Sequence, residues 1–429
     1  MNALTFDFDD ASDEATRRAV GRDSRETKTT NPIIPVISDA DYKCERLCYH
    51  AWLQPPARAY RTEEDMSTML SSHSVMDISH TRLPLFVPPN RTISFTPSRK
   101  ATAPESKPNL ISGLCAFLLN EVRHMYSEQQ VADMCASVQL TDNGPHHHIN
   151  SSSSASATST AADVVGVDEL LKCLSRVTAF TSRHPLKRVL MTMSEPSEPW
   201  KVYARFVAGT LFVERGDFYV SVTGTTGSKF EERVKAKRDN RLRHRIYSVV
   251  SAQLSDLRVV LTGEADAVDA RGNVVEIKTR PARRKRADDH HCFQNWLQCA
   301  LAGVGTVITG TFSAGKKRVS FHPTHVEVLS LDQYAERNHL TCTPSARALA
   351  FRVYHRFISW VRGVCEAAPG QVFEIRYNPS ARSVTASPDD TFPFPIDEEV
   401  VRAALHAVLR HFKAPASALK DTTATDHEK

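Results

Sequence analysis

The sequence predicts a mixed α/β fold in which a central mixed β-sheet is flanked by helices. From Lys201 onward, runs of β-branched and aromatic residues alternate with longer runs whose apolar residues recur at helical spacing. With 429 residues the chain can bury a sizeable core, and it shows no internal repeat. We therefore expect one α/β domain.

The ends of the chain and one internal stretch differ in composition from the rest. Hydrophobic residues make up 41% of the chain, slightly few for a globular protein, so some segments are expected to be disordered. Residues 1–30 and 414–429 are polar, and residues 141–163 form a low-complexity, Ser-rich insert. The expected domain spans residues 31–413, with a disordered leader, a flexible surface insert and a disordered tail.

Cysteine usage and hydropathy predict an intracellular protein. The nine cysteines are odd in number, irregularly spaced and without a CxxC pair, which disfavours a disulfide framework or a structural zinc site. The chain has no apolar run of about 18 residues, and its start lacks the apolar core of a secretory signal. We expect a soluble protein of a reducing compartment with no membrane partner.

The first half of the expected domain contains helices before it turns to strands. Leu110–Tyr126 and Val167–Phe180 have apolar residues at helical spacing and predict helices. Three strand-like runs follow, KVYARFV, TLFVER and DFYVSV, which Gly209 and Gly216 divide. They predict a β-meander.

The second half alternates between helices and strands. The basic stretch Gly224–Leu254 predicts a helix, a hairpin follows at Leu261–Thr279, and HCFQNWLQCALAG predicts an amphipathic helix that ends near Gly303. The apolar run VGTVITGTF suits a buried central strand. The last third predicts a strand at HVEVLSL, a long helix at PSARALAFRVYHRFISWVRGVCEAA, strands at VFEIRYN and SVTAS, and a final helix at DEEVVRAALHAVLRHF.

The hairpin LTGEADAVDARGNVVEIKT carries paired polar residues at two-residue spacing. Glu264 and Asp266 should point to one side of the first strand, as should Glu276 and Lys278 on the second, because alternate strand residues share a face. The intervening VDARGN suits a short turn. Three carboxylates and an ammonium on one patch form either a solvated polar face or a metal site.

The metal interpretation has a clear chemistry. Cleavage at a phosphate requires neutralised negative charge and a hydroxide at neutral pH, which two divalent ions held by carboxylates can supply. Carboxylates and a backbone carbonyl suit Mg²⁺, and a neighbouring lysine can stabilise developing negative charge. The order of a Glu-x-Asp strand, a turn, a Glu-x-Lys strand, a helix and a strand fits the PD-(D/E)XK nuclease core. Glu-x-Lys alone is common, so an ordinary hairpin face remains open.

Several motifs, in order, resemble those of the DXO family of decapping and NAD-cap-removing ribonucleases, which includes the activator of a nuclear 5′–3′ exoribonuclease. GSKFE is similar to the family's G-x-x-F-E motif, GEADAVD to its G-E-h-D motif (h is apolar) and VEIKT to its E-h-K motif. NWLQCALAGVGTVITGTF resembles its W-x-Q-S-x-x-x-G-V stretch, and WKVYARFVAGTLFVER resembles a hairpin of the family. The similarity spans a little over half the chain.

The resemblance implies a role for each matching residue. Asp266, Glu276 and the Ile277 carbonyl would bind metal directly, and Glu231 and Glu264 would complete the ligand set directly or through water. The cofactors would be two divalent cations, Mg²⁺ or Mn²⁺. Lys278 and Gln298 would position the attacking water and the scissile phosphate. The implied activity is metal-dependent hydrolysis at RNA 5′ ends, removing incomplete caps, pyrophosphate or NAD, with 5′–3′ degradation in some members.

One family feature has no counterpart at its expected position. The family has an arginine shortly before the hairpin tryptophan that helps to bind the RNA 5′ end, and this chain has Ser197 there. Either Lys187 or Arg188 takes that role, or binding of the 5′ end is altered.

Two basic segments indicate an RNA partner. RPARRKR, which supplies Arg280, Arg283 and Arg284, directly follows the Glu-x-Lys strand and could track a single-stranded RNA backbone. It could also, or instead, be a nuclear import signal, and nuclear location is the expectation. For RVKAKRDNRLRHR, a solvated basic face is an equally good interpretation.

Two other classes of function remain open. A catalytically weak activator or scaffold of a 5′–3′ exoribonuclease would usually lack part of the ligand set, whereas this chain retains all of it. A PD-(D/E)XK DNA nuclease would prefer duplex DNA, and the combination of GSKFE with NWLQCALAG argues against it. The matching residues are Glu231, Glu264, Asp266, Glu276, Lys278 and Gln298.

Overall fold

A computed structural model describes most of the expected domain. The described residues are 4–7, 42–51, 62–71, 83–97, 100–101, 109–125, 160–215, 222–223, 225–236, 246–282, 289–315, 318–339 and 342–413. The predicted insert therefore lies outside the described residues up to position 159, as do the predicted tail and most of the leader. Strand β1 (Leu4–Asp7) lies within that leader and pairs with residues 383–386.

Helices and strands alternate along the described chain. The helices are α1 (Glu63–Ser71), α2 (Asn109–Met125), α3 (Thr160–Ser175), α4 (Arg183–Met191), α5 (Thr226–Arg233), α6 (Asp289–Leu301), α7 (Leu331–Arg337), α8 (Pro344–Glu366) and α9 (Glu398–Lys413). The strands after β1 are β2 (Tyr42–Ala51), β3 (Leu85–Phe86), β4 (Ile93–Phe95), β5 (Lys100–Ala101), β6 (Ala179–Ser182), β7 (Trp200–Val207), β8 (Thr210–Arg215), β9 (Val222–Thr223), β10 (Lys235–Ala236), β11 (Ile246–Leu254), β12 (Leu257–Glu264), β13 (Ala267–Val268), β14 (Val274–Pro281), β15 (Thr306–Ala314), β16 (Val319–Ser330), β17 (Val372–Asn378) and β18 (Ser383–Pro388).

The strands form two large mixed sheets and one small one. The nine-stranded sheet has the order β1-β18-β17-β7-β8-β6-β12-β11-β2, and the seven-stranded sheet has the order β10-β3-β13-β14-β15-β16-β4. Strands β5 and β9 form a two-stranded sheet. The predicted mixed α/β class is confirmed, although the strands are divided between sheets instead of sharing one.

Most predicted elements of the second half are confirmed. The predicted helices correspond to α6, α8 and α9, and the apolar run after α6 forms β15 between β14 and β16. Gly303 follows α6 with φ +59°, a left-handed conformation that a glycine adopts at little cost at the end of a helix.

One prediction about local structure is wrong, and another is confirmed only in part. Among the described residues of the basic stretch, Thr226–Arg233 forms the short helix α5 before β10, and the apolar end, Ile246–Leu254, is strand β11. Because both faces of β11 are largely buried, its sequence lacks the alternation that distinguishes a half-exposed strand from a helix. In the predicted meander, β7 and β8 pair as expected. Most of the third run, residues 217–221, lies outside the described residues, and its last residue, Val222, pairs with β5 in the small sheet.

Two apolar cores lie on opposite faces of β14. Val274 belongs to the large core between the nine-stranded sheet and its helices, whereas Val275 and Ile277 belong to a small core around Phe230. Glu276 alternates with the small-core residues and so faces the same side as Val274. Among the described residues, no helix is long and apolar enough to cross a membrane, and no disulfide joins the eight described cysteines.

Candidate active site

The candidate site lies where the chain passes from one large sheet to the other. Glu264 ends β12 opposite Tyr247 in the nine-stranded sheet, and three residues later Ala267 pairs with Val275 in the seven-stranded sheet. Asp266 occupies the crossing. The site is therefore assembled from the end of β12, the crossing segment and the middle of β14.

The turn between the two strands has the predicted form. The Asp269 carboxylate accepts hydrogen bonds of 2.8 Å from the backbone N–H groups of Arg271 and Asn273. Gly272 has φ +87°, a conformation that is unfavourable for other residues. This turn sets the register that places Asp266 beside β14, where its Oδ2 accepts a 2.8 Å hydrogen bond from the Ile277 N–H.

Glu276 is the buried centre of the site, with 2% of its surface exposed. Its Oε1 accepts from Lys278 Nζ at 2.5 Å and from the side-chain amide of Gln298, and its Oε2 lies 3.4 Å from Arg183 Nη1. Burial acts to raise the pKa of Glu276, but Lys278 and Arg183 more than offset this and hold the pKa below its ordinary value. The carboxylate is thus kept ionised although it is buried.

Asp266 has the opposite electrostatic character. Burial and the negative charges of Glu276 and Glu231 raise its pKa well above the ordinary value, despite Lys278 and the Ile277 N–H. Without a counter-ion the protonated form of Asp266 is therefore favoured. A cation placed against Asp266 would favour its charged form.

Helix α4 contributes two cations that the sequence analysis did not place together. Arg183 donates from Nη2 to the Glu264 carbonyl at 3.2 Å as well as contacting Glu276, and Lys187 donates to Gln298 Oε1 at 3.2 Å. Their spacing of four residues puts both on one helix face. A Cβ on Gly263 would come within 3.1 Å of Arg183 Nε, so this glycine leaves room for the guanidinium.

Arg183, and not the residue at position 197, brings a guanidinium into this site. It was missed because it is 93 positions from Glu276 in sequence. The sequence pattern that could have indicated it is the pair of basic residues in SRHPLKR, Arg183 and Lys187, which are four positions apart as on one helix face. Arg188, the other candidate, instead lies 4.0 Å from Glu195 and lines a cavity of about 380 Å³ together with Ser197.

Helix α5 brings Glu231 to the edge of the site. The Thr225 hydroxyl accepts from the Ser228 N–H and caps the helix start, and Phe230 is completely buried in the small core. Glu231 pairs with Lys235 one turn further on and contributes to the raised pKa of Asp266. Its negative charge therefore acts on the same centre as that of Glu276.

The donor chemistry of the site fits a hard divalent cation. The predicted ligands are all oxygen atoms, and burial and the carboxylates of Glu276 and Glu231 raise the pKa of Asp266, which a bound cation would lower. In the part of the chain that the structure describes, no three carboxylate, imidazole or thiol side chains stand together as a ready metal site. The contacts explain why the predicted ligands are not gathered around one point, since Lys278 and Gln298 both hydrogen-bond to the carboxylate of Glu276.

The predicted RNA-binding arginines lie at or beyond the end of β14. Arg280 is paired with Glu327 at 3.3 Å and donates to Thr311 Oγ1. Arg283 and Arg284 lie outside the described residues.

The sequence is also similar to known proteins. Residues 167–399, more than half of the chain, match the model of the RAI1-like PD-(D/E)XK nuclease family. The chain belongs to this family. Its members are nucleases that process RNA 5′ ends, and the resemblance of the motifs to the DXO family is thereby confirmed.

Solved structures of RAI1-like proteins share the fold. S. pombe Rai1 in complex with 3′-FADP has a TM-score of 0.54 and 13% identity, covering 90% of this chain and 100% of that chain. Another structure of S. pombe Rai1 has a TM-score of 0.50 and 12% identity over the same shares. At this identity the likeness shows the fold alone. No curated protein matches the sequence significantly.

Proposed function

We propose that this RAI1-like chain is a metal-dependent hydrolase that acts on RNA 5′ ends. Its substrates would be incomplete caps, a 5′ pyrophosphate or an NAD cap, with 5′–3′ degradation of the RNA body as a further activity. The observation that carries the proposal is the buried Glu276, which Lys278, Gln298 and Arg183 hold in its ionised form. Asp266 lies next to it, with a pKa that burial and the neighbouring carboxylates raise.

The metal ligands in this proposal are oxygen atoms. Asp266, Glu276 and the Ile277 carbonyl would bind directly, with Glu231 and Glu264 completing the set for two Mg²⁺ or Mn²⁺ ions. When bound, such ions neutralise phosphate charge and supply hydroxide near neutral pH.

The protein's own cations would act on the phosphate. Burial opposes the charged form of Lys278, but Glu276 and Asp266 raise its pKa above the ordinary value, so the ammonium stays charged at neutral pH. It can therefore stabilise negative charge that develops on phosphate oxygens. The amide of Gln298, which reaches the same Glu276 oxygen, would orient the water or the phosphate.

The proposed partner is the 5′ end of a single-stranded RNA, with a 5′–3′ exoribonuclease as a further candidate partner in the nucleus. Lys278 and Gln298 would contact the RNA at the reacting phosphate. Arg280, Arg283 and Arg284 would contact its backbone beyond the site, since phosphate contacts need only clustered positive charge.

The test is hydrolysis of one RNA body that carries different 5′ ends. The ends are triphosphate, monophosphate, unmethylated cap, methylated cap and NAD, each with Mn²⁺, with Mg²⁺ and with EDTA. Metal-dependent release is expected from at least one end, and D266N and E276Q should reduce it by at least about 100-fold. Isosteric variants are chosen because alanine at Glu276 would leave buried cations unpaired.

The affinity of the variants for RNA distinguishes a loss of catalysis from a loss of binding. If the two carboxylates serve chemistry, both variants should bind the same RNA within about threefold of the wild type. Turnover that survives in either variant would refute the assigned site. A folded wild-type protein that binds RNA but releases nothing from any end would instead indicate a non-catalytic activator.

A further inference from the structure

Lys187 reaches the site from helix α4, which lies far from β14 in sequence. Its ammonium donates to Gln298 Oε1 at 3.2 Å, and among the described residues this amide is its hydrogen-bond partner. Burial lowers the pKa of Lys187, and Lys278 and Arg183 lower it further, to about 8, although Glu276 acts in the opposite direction. A lysine held here against two like charges needs a compensating interaction, and the amide oxygen supplies one in either protonation state.

The two partners of Gln298 have opposite polarity. Its Oε1 faces the Lys187 donor, and its Nε2 donates to the Glu276 carboxylate. The opposite assignment of the amide would set its NH₂ group against an ammonium and its oxygen against a carboxylate. Only one orientation of the amide satisfies both contacts, and it directs the N–H groups of Gln298 towards Glu276.

We propose that Lys187 is a positioning residue that fixes the side-chain amide of Gln298 with its N–H groups facing the reacting centre. The kinetic consequence of this role rests on the proposed hydrolase function. Its structural content, the orientation of the amide, does not depend on that function.

The kinetic test is a double-mutant cycle with K187M and Q298A on the best 5′-end substrate. K187M should lower kcat at least about tenfold with KM changed less than about twofold, and it should have almost no further effect in the Q298A background. K187R, which keeps a donor, should recover part of the loss. The matched control is K172M, because Lys172 is an exposed lysine on α3 that pairs with Glu169.

A direct contact between Lys187 and the substrate would give a different pattern. KM would then rise, and K187M would cost as much in the Q298A background as in the wild type. That result would overturn the positioning role, as would full activity of K187M.

The second readout does not use activity. In protein labelled with ¹⁵N at glutamine, the Gln298 side-chain resonance is the one that disappears in Q298A. K187M should shift this resonance and speed its hydrogen exchange, whereas K172M should leave it unchanged. An unshifted Gln298 resonance in K187M refutes the inference. A shifted resonance in a protein that hydrolyses no 5′ end supports the positioning contact while refuting the proposed function.

Discussion

At the residue scale, Glu276 shows why removing one partner of a buried charge cluster differs from neutralising it. In E276A, Lys278 and Arg183 would both lose their carboxylate in a place that is largely shielded from water. We expect E276A to lower the free energy of unfolding by about 3–5 kcal/mol, since breaking a buried pair leaves an uncompensated charge. E276Q should cost clearly less because its amide oxygen still accepts.

Urea denaturation of both variants measures this difference. E169A is the control, because Glu169 forms an exposed pair with Lys172 and such solvent-screened pairs contribute little to stability. Equal destabilisation by E276A and E169A would mean that the cluster contributes nothing to stability.

Glu214 leads to a prediction about pH. Its Oε1 accepts from the Arg215 N–H at 2.7 Å, its Oε2 is buried without a partner among the described residues, and burial raises its pKa to about 7. An acid with a raised pKa in the folded state stabilises the fold fully below the unfolded pKa of about 4.3, and this stability is lost as the pH rises through about 7.

The variant E214Q isolates this effect because glutamine does not titrate. Its free energy of unfolding relative to the wild type should rise by about 2 kcal/mol between about pH 5 and pH 8. The same substitution at the exposed Glu366 corrects for the general loss of a charge. A difference between E214Q and wild type that is constant with pH would show that Glu214 titrates normally.

The residues of the site also show what spacing along a chain can predict. The shared face of Glu276 and Lys278 and the Asp269 turn follow from the two-residue period of a strand and from turn chemistry, and both are confirmed. Arg183 and Lys187 meet their partners across 93 and 111 positions. No local pattern encodes such a contact, so the sequence can show that Arg183 and Lys187 share a helix face but not that they reach Glu276 and Gln298.

At the element scale, the position of helix α5 depends on Gly310 in β15, which leaves room for the Phe230 side chain of the helix. A Cβ on Gly310 would lie 2.5 Å from Phe230 Cζ, and the Phe230 ring is completely buried and stacks on Phe321 with centroids 4.2 Å apart. The bare backbone of Gly310 therefore lets the tip of the ring approach the strand. Because Phe230 directly precedes Glu231, this packing positions the carboxylate as well.

We expect G310A to displace Phe230 and to lower the free energy of unfolding by about 1–3 kcal/mol, the usual cost of overpacking a core. Hydrolysis should fall as well, because α5 carries Glu231. The matched control is G305A, since a Cβ on Gly305 would meet nothing within 4 Å. Chemical denaturation and the 5′-end assay measure the two effects, and a G310A protein as stable as G305A would contradict the packing argument.

Elements differ in how far their sequence determines them. Helix α8 has an apolar face, a Thr343 cap and Pro344 at its start, so both its type and its N-terminus are readable. Strand β11 is read incorrectly because its pairing with β2 and β12 and its burial on both faces decide its conformation. Tertiary packing here overrides the local pattern.

At the scale of the whole molecule, the candidate metal ligands belong to different sheets. Glu264 ends β12 of the nine-stranded sheet, and Glu276 lies on β14 of the seven-stranded sheet, with Asp266 on the segment between them. A cation held by these carboxylates would join the two sheets. It would also relieve the repulsion that raises the pKa of Asp266.

Metal binding should therefore stabilise the entire fold. A ligand that binds only the folded state adds about 2.7 kcal/mol at 100 times its Kd, so Tm should rise with Mn²⁺ or Mg²⁺ concentration and fall back when EDTA is added. D266N should abolish this rise while changing Tm little in EDTA, because an asparagine oxygen can still accept from the Ile277 N–H. E327Q, which changes a carboxylate that pairs with Arg280 and Arg337, should keep the full rise.

If D266N and the wild type respond equally, the ions bind elsewhere. A wild type that hydrolyses 5′ ends without any rise in Tm would contradict the prediction that metal binding at this site stabilises the fold.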